Sequence, residues 1–88
     1  MSLLTCACCG YKTIGERGNW EICPVCFWED DPVQFRDPDF AGGANKPSLR
    51  QAQKNYRAFG ACEQEMSEHV CAPTRDNEKD EAWKPLDD

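Results

Sequence analysis

The chain has 88 residues, enough for one domain at most, and a fold of that size buries only about 60–65% of the surface its unfolded chain exposes. Seven of its apolar residues are cysteines, so an external staple is expected to supplement a marginal core. The formal net charge of −6 argues against counterion-release binding to nucleic acid, and no run approaches the roughly 18–20 apolar residues that cross a membrane.

Residues 3–28 read as two short hairpins, each turning at a Cys-x-x-Cys step. The first is Cys6-Ala7-Cys8-Cys9-Gly10 and the second Cys23-Pro24-Val25-Cys26. Gly10 offers the positive-φ freedom such a turn favours, and Pro24 preorganises the second turn. Phe27 stands where a small residue is usual, so the second turn is expected to open differently. Tyr11–Ile14 and Asn19–Ile22 are β-prone, with Gly15–Gly18 as their connection.

Residues 29–47 are irregular, because three prolines and two glycines forbid a continuous helix or central strand. Phe35 and Phe40 are expected to tether this loop to the core. Residues 48–59 form the clearest helix: Ser48 with Gln51 makes a capping box, and Gly60 is a natural stop. Leu49, Ala52, Tyr56 and Phe59 share one face, with Arg50, Lys54 and Arg57 on the opposite side. A further helical turn or two is expected between Cys62 and Val70, with Met66 and Val70 inward. The whole formal −6 falls in residues 61–88, nine acids against three bases. Residues 1–72 therefore read as a single metal-stabilised domain and 73–88 as an acidic, partly ordered tail. Trp83 is the candidate docking residue within that tail.

Two Cys-x-x-Cys steps separated by thirteen residues (10 to 22) have the spacing of a four-thiolate metal site. Each turn places two sulfurs on one edge of a tetrahedron, and the expected ligands are Cys6, Cys9, Cys23 and Cys26. One zinc ion per chain is the expected occupant, with iron as the less favoured alternative. Four protein thiolates leave no position for water, so the site reads as structural. Cys8 can replace Cys6 or Cys9, but adjacency to Cys9 makes poor turn geometry; it is expected as a spare thiol beside the metal. The first residues, 1–9, lack a basic and apolar leader, and paired cysteine steps differ from a spread disulfide framework. A reducing, cytoplasmic setting is the expectation.

Four segments together carry a resemblance: Cys6-x-Cys8-Cys9-Gly10-Tyr11, Cys23-Pro24-Val25-Cys26-x-Trp28-Glu29-Asp30-Asp31, Gly42-Gly43-Ala44-Asn45-x-x-Ser48-Leu49, and Asn55-Tyr56-x-x-Phe59-Gly60-Ala61. Across about residues 5–70 the chain resembles the bacterial cysteine-rich CPCC family. The resemblance implies a small soluble bacterial metal-binding protein and leaves its biochemical role open. Ala7 departs from it, standing where the family name expects proline.

Other constellations weigh less. Glu29-Asp30-Asp31 with Asp37 and Asp39 can be read as a cation or acid–base site, or as a solvated loop pairing with Arg50, Lys54 or Arg57. Gly42-Gly43-Ala44-Asn45-Lys46 ahead of a helix can be read as an anion cradle, or as a tight loop feeding that helix. The basic helix face, with Trp20 or Trp28 near, can be read as a small acidic-partner or nucleic-acid patch, or as a solvated side. His69, Cys62 and Cys71, with Cys8 as a candidate addition, can be read as ligands of a second metal, but a fourth ligand has no clear identity. No redox βαβ context and no Ser/His/Asp triad is visible.

The fold class expected is a small metal-stabilised α+β domain, with zinc-ribbon or rubredoxin-like knuckle hairpins and one amphipathic helix. The leading function is a cytoplasmic zinc-stabilised interaction module whose partner is a protein. The alternatives are an enzyme or anion-binding protein using residues 29–31 and 42–46, and a nucleic-acid-binding zinc ribbon.

Overall fold

The computed structural model describes residues 3–75 and 77–86. Strands β1 (Leu4–Thr5) and β2 (Lys12–Ile14) flank the first cysteine turn and pair antiparallel. The register runs Leu4 with Ile14 and Thr5 with Lys12, so Thr13 is an extra residue forming a bulge. The short helix α1 (Pro32–Arg36) follows, capped by Asp31, whose carboxylate accepts from the Val33 N–H at 2.8 Å. Helix α2 (Leu49–Phe59) is capped by the Ser48 hydroxyl and ends at Gly60 in the left-handed conformation, φ 81°. A 3-10 turn spans Gln64–Met66. The fold is thus a small α+β unit built on a two-stranded sheet, one amphipathic helix and a cysteine cluster.

The second cysteine turn has no strands of its own. The β-prone segment Asn19–Ile22 makes only an isolated bridge, Ile22 to Glu29, because Trp20 turns the chain at φ 54°. Even so, the two cysteine turns share one hydrogen-bond pattern. Gly10 N–H donates to the Cys6 carbonyl at 2.9 Å, and Phe27 N–H to that of Cys23 at 2.7 Å. Cys6 and Cys23 N–H donate in turn to the Tyr11 and Trp28 carbonyls at 2.8 and 2.9 Å. Phe27 therefore does not open its turn. It adopts φ 68°, close to the 83° of Gly10, and accepts the strain an L-residue meets there.

The core is centred on the cysteines, with Ile14, Val25, Trp28, Leu49 and Ala52 around them. Trp28 is fully buried and its indole N–H has no acceptor. The burial of so large a ring outweighs the roughly 1–3 kcal/mol that an unmade hydrogen bond costs. The buried face of α2 is rotated from the expected stripe: Leu49, Ala52 and Gln53 are inside, whereas Phe59 is 44% exposed. Gln53 is drawn inward because its amide donates to the Ala7 carbonyl at 2.7 Å and accepts the Leu86 N–H at 2.7 Å. Phe35 and Phe40 do not tether the 29–47 loop to the core, since both are only partly buried and neither packs against the core cluster. The polar side chains of Gln34 and Asn45 do that work.

The C-terminal half clamps both cysteine turns. Cys62 N–H donates to the Cys26 carbonyl and Cys71 N–H to that of Pro24, at 2.8 and 2.9 Å, while His69 stacks on Phe27. Farther on, Lys12 N–H donates to the Glu78 carbonyl and Asp80 N–H to that of Gly10, at 2.8 and 2.9 Å. Lys79 donates to the Cys9 carbonyl at 3.0 Å, and its ammonium lies 4.8 Å from the Tyr11 ring centroid and 5.0 Å from that of Trp83. We refer to residues 77–86 as the strap.

Trp83 lies directly on Gly10. A Cβ added there would sit 2.4 Å from the indole, whereas one at Gly60 would meet nothing within 4 Å. Both glycines hold a positive φ, so alanine costs each about 1–2 kcal/mol in backbone strain. Gly10→Ala must also displace Trp83 and is expected to lose about 1–3 kcal/mol more than Gly60→Ala. Denaturant midpoints of the two variants, followed by tryptophan fluorescence, measure the difference.

Candidate metal centre

Cys6, Cys9, Cys23 and Cys26 are each 0% exposed, and their sulfurs all lie within 4.8 Å of one another. Cys6 Sγ is 3.6 Å from Cys26 Sγ, and Cys9 Sγ is 3.7 Å from Cys23 Sγ. A disulfide would need about 2.05 Å. Four sulfurs arranged tetrahedrally at a metal–sulfur bond of about 2.3 Å would stand roughly 3.8 Å apart. The cluster therefore has the dimensions of a tetrathiolate metal site, and both short pairs bridge one turn to the other.

Two features favour a cation. The bulge at Thr13 lets its hydroxyl donate to Cys23 Sγ at 3.0 Å, a bond that favours the thiolate. The thiols also compete for protons. Hydrogen bonds from Cys26, Cys6 and Cys9 drive the Cys23 thiol far below its usual range, with Thr13 adding to them. Cys6 and Cys9 are pushed well up, each first by its hydrogen bond to Cys23, and Cys26 is pushed up first by burial. Ionising one sulfur therefore opposes ionising its neighbours. A positive ion between the four sulfurs would relieve that opposition.

The other cysteines lie outside the cluster. Cys8 and Cys62 are buried, at 1% exposure each, and Cys71 is exposed. Cys8 belongs to the same buried core and helps to push the Cys26 thiol up. Burial raises the Cys62 thiol to about 12, so it holds almost no thiolate at neutral pH. His69 is occupied in its stack on Phe27, at 5.3 Å between ring centroids. Among the described residues, Cys62, His69 and Cys71 do not form a second ligand cluster. Brief treatment of the folded protein with iodoacetamide is expected to add one label, at Cys71, which peptide mass mapping would locate.

The acidic run and the Gly-Gly-Ala-Asn loop come together, but as each other's partners. Asp30 is fully buried, accepting Arg17 Nη1 at 2.6 Å and the Gly18 N–H at 2.7 Å. Asp31 accepts the Val33 and Ala44 N–H groups. Burial opposes its charge, yet those donors hold its carboxyl below the usual range. Asn45 pairs with both backbone groups of Glu29 at 2.9 Å and with Gln34. Gly43 is required by this contact, since a Cβ there would stand 2.7 Å from Asp31 Oδ2. Lys46 turns outward to Glu65 at 2.9 Å, and Arg50 pairs with Asp39 at 2.6 Å. Trp28 is buried and cannot stack on a ligand, while Trp20 is 53% exposed. Asp30, Asp31 and Asn45 thus hold the loop closed and do not open into a shared pocket.

Sequence reasoning passed over Thr13, Gln34, Gln53 and Lys79. Thr13 carries a readable hint, being a hydroxyl on the strand between the two cysteine pairs. Lys79 carries none, because its role depends on a chain reversal seventy residues from Cys9.

No curated protein matches the chain. The family model for Cysteine-rich CPCC matches residues 4–77, a span that includes all four clustered cysteines, both loops and α2. The chain belongs to the cysteine-rich CPCC family.

Proposed function

We propose that this protein is a small cytoplasmic interaction module, held in shape by one structural zinc ion on Cys6, Cys9, Cys23 and Cys26, whose partner is a protein. The observation that carries this reading is the buried four-sulfur cluster, with every ligand position taken by the chain itself. A site of that kind binds no substrate water and lends its binding energy to folding. The matching hydrogen bonds of the two cysteine turns support a zinc-ribbon or rubredoxin-like arrangement. Zinc is preferred to iron on availability and on the chemistry of a closed four-thiolate site.

Further support comes from what the acidic residues do. Asp30 and Asp31 are committed to Arg17 and to backbone N–H groups, which leaves no free acid–base pair in that loop. The net charge of −6 disfavours a nucleic-acid partner. Elemental analysis combined with native mass spectrometry tests the proposal. One zinc per chain is expected. A red, iron-containing protein would overturn the assignment, and a salt-dependent mobility shift on adding DNA or RNA would overturn the choice of partner.

A further inference from the structure

We infer that the cleft between the strap and α2 binds a small aromatic molecule bearing a single negative charge. The cleft measures about 320 Å³, within the size range of small-molecule sites. Four parts of the chain enclose it: the first cysteine turn through Ala7, the end of α1 through Phe35, α2 through Leu49, and the strap through Trp83 and Leu86. Two aromatic side chains and two leucines suit a flat apolar body.

The charged lining is one-sided. Arg17 and Lys84 face the cleft and, among the described residues, no carboxylate does, in a chain with sixteen acids against ten bases. The two cations have different parts to play. Arg17 is fixed: Nη1 bonds to Asp30, Nη2 bonds to the Thr5 carbonyl, and the guanidinium lies 4.5 Å from the Phe35 ring centroid. Its charge is balanced by Asp30, so what it offers is oriented N–H donors, of which a guanidinium has five. Lys84 is exposed and supplies the unbalanced positive charge. One fixed donor group and one mobile ammonium match a carboxylate. The surrounding net charge of −6 opposes a polyanion such as a nucleotide. Gln53 does not select the ligand, because both ends of its amide are taken by Ala7 and Leu86.

The test uses the full chain as purified and follows its backbone and indole N–H signals by NMR while 2-naphthoate is added. A ligand of that size is expected to bind with a Kd of about 0.1–1 mM. Saturable shifts should centre on Ala7, Gln53 and Trp83. Lys84→Glu, at an exposed position, is expected to weaken 2-naphthoate about ten-fold and leave 2-naphthamide unchanged; Lys84→Arg should bind like the parent. No saturation by about 10 mM, roughly ten times the expected Kd, would overturn the inference. So would equal affinity for the amide, tighter binding of 2-naphthyl phosphate, or shifts centred on the exposed face of α2.

Discussion

Stripping the metal from the purified protein with a strong chelator is expected to abolish its fold, with loss of dispersed amide signals and exposure of Trp28. Structural zinc sites in small domains contribute on the order of 10 kcal/mol or more, comparable to the whole 5–15 kcal/mol stability of a typical domain. Here the ligands occupy the centre of the core, so removing the ion leaves four buried sulfurs with nothing to hold them together. Cys6→Ser and Cys23→Ser should give the same unfolded product. Cys8→Ala, beside the cluster but outside it, should remain folded and retain the metal, which elemental analysis would show. The sign with pH follows from the thiols. Without metal the chain is unfolded and its cysteines return to the ordinary thiol range of about 8.5, so they hold their protons at neutral pH, whereas bound thiolates hold none. The metal-free state therefore binds more protons, and the loaded fold should gain stability as pH rises and lose it on acidification. A fold that survived chelation unchanged would sink the central proposal.

How much of this could be read in advance depended on how local the signal was. The cysteine spacing is local, and so are the Ser48 cap, the Gly60 stop and the positive φ at Gly10; each was visible because the cause and the consequence lie within a few residues. The second turn was harder. A bulky residue after Cys26 suggests a different opening, yet the metal-site geometry outweighs the local preference and holds Phe27 at φ 68°. Polar residues were the real obstacle. A pattern of apolar side chains points to Phe35, Phe40 and Phe59 as inward, whereas Gln34, Asn45 and Gln53 took those places. In so small a core, loops without regular structure leave many backbone groups to satisfy, and an amide satisfies several where a phenyl ring satisfies none. The strap was unreadable for another reason: an acidic segment with one tryptophan does not announce which distant turn it will cover.

Gln34 is where that obstacle becomes a measurement. Its side chain is fully buried, with Nε2 directed to the carbonyls of Phe40, Asn45 and Pro47 at 3.0, 3.2 and 3.0 Å. Its Oε1 accepts both the backbone N–H and the side-chain amide of Asn45, at 3.1 and 2.9 Å. Two N–H groups are shared among three carbonyls, so this one amide ties down both ends of the 40–47 loop. Gln34→Ala is expected to cost about 3–5 kcal/mol, since several buried groups lose partners and a cavity opens at once. Phe40→Ala, by contrast, should cost less, about 1–2 kcal/mol, because that ring is 41% exposed, lies outside the core cluster and leaves no buried polar group unpaired. Gln34→Glu separates hydrogen bonding from volume. The shape is nearly unchanged and Oε1 keeps its two donors from Asn45, but the oxygen replacing Nε2 would face three carbonyl oxygens with nothing to donate when ionised. Burial and those oxygens would raise the new carboxyl above the usual 4.3, so the folded state would take up a proton more readily than the unfolded one. The defect of Gln34→Glu relative to the parent should therefore shrink as pH falls, while that of Gln34→Ala stays constant. Denaturant unfolding of all three variants at two pH values decides it. A Gln34→Glu protein as stable as the parent at neutral pH would mean that the amide fills space and does not hold the loop.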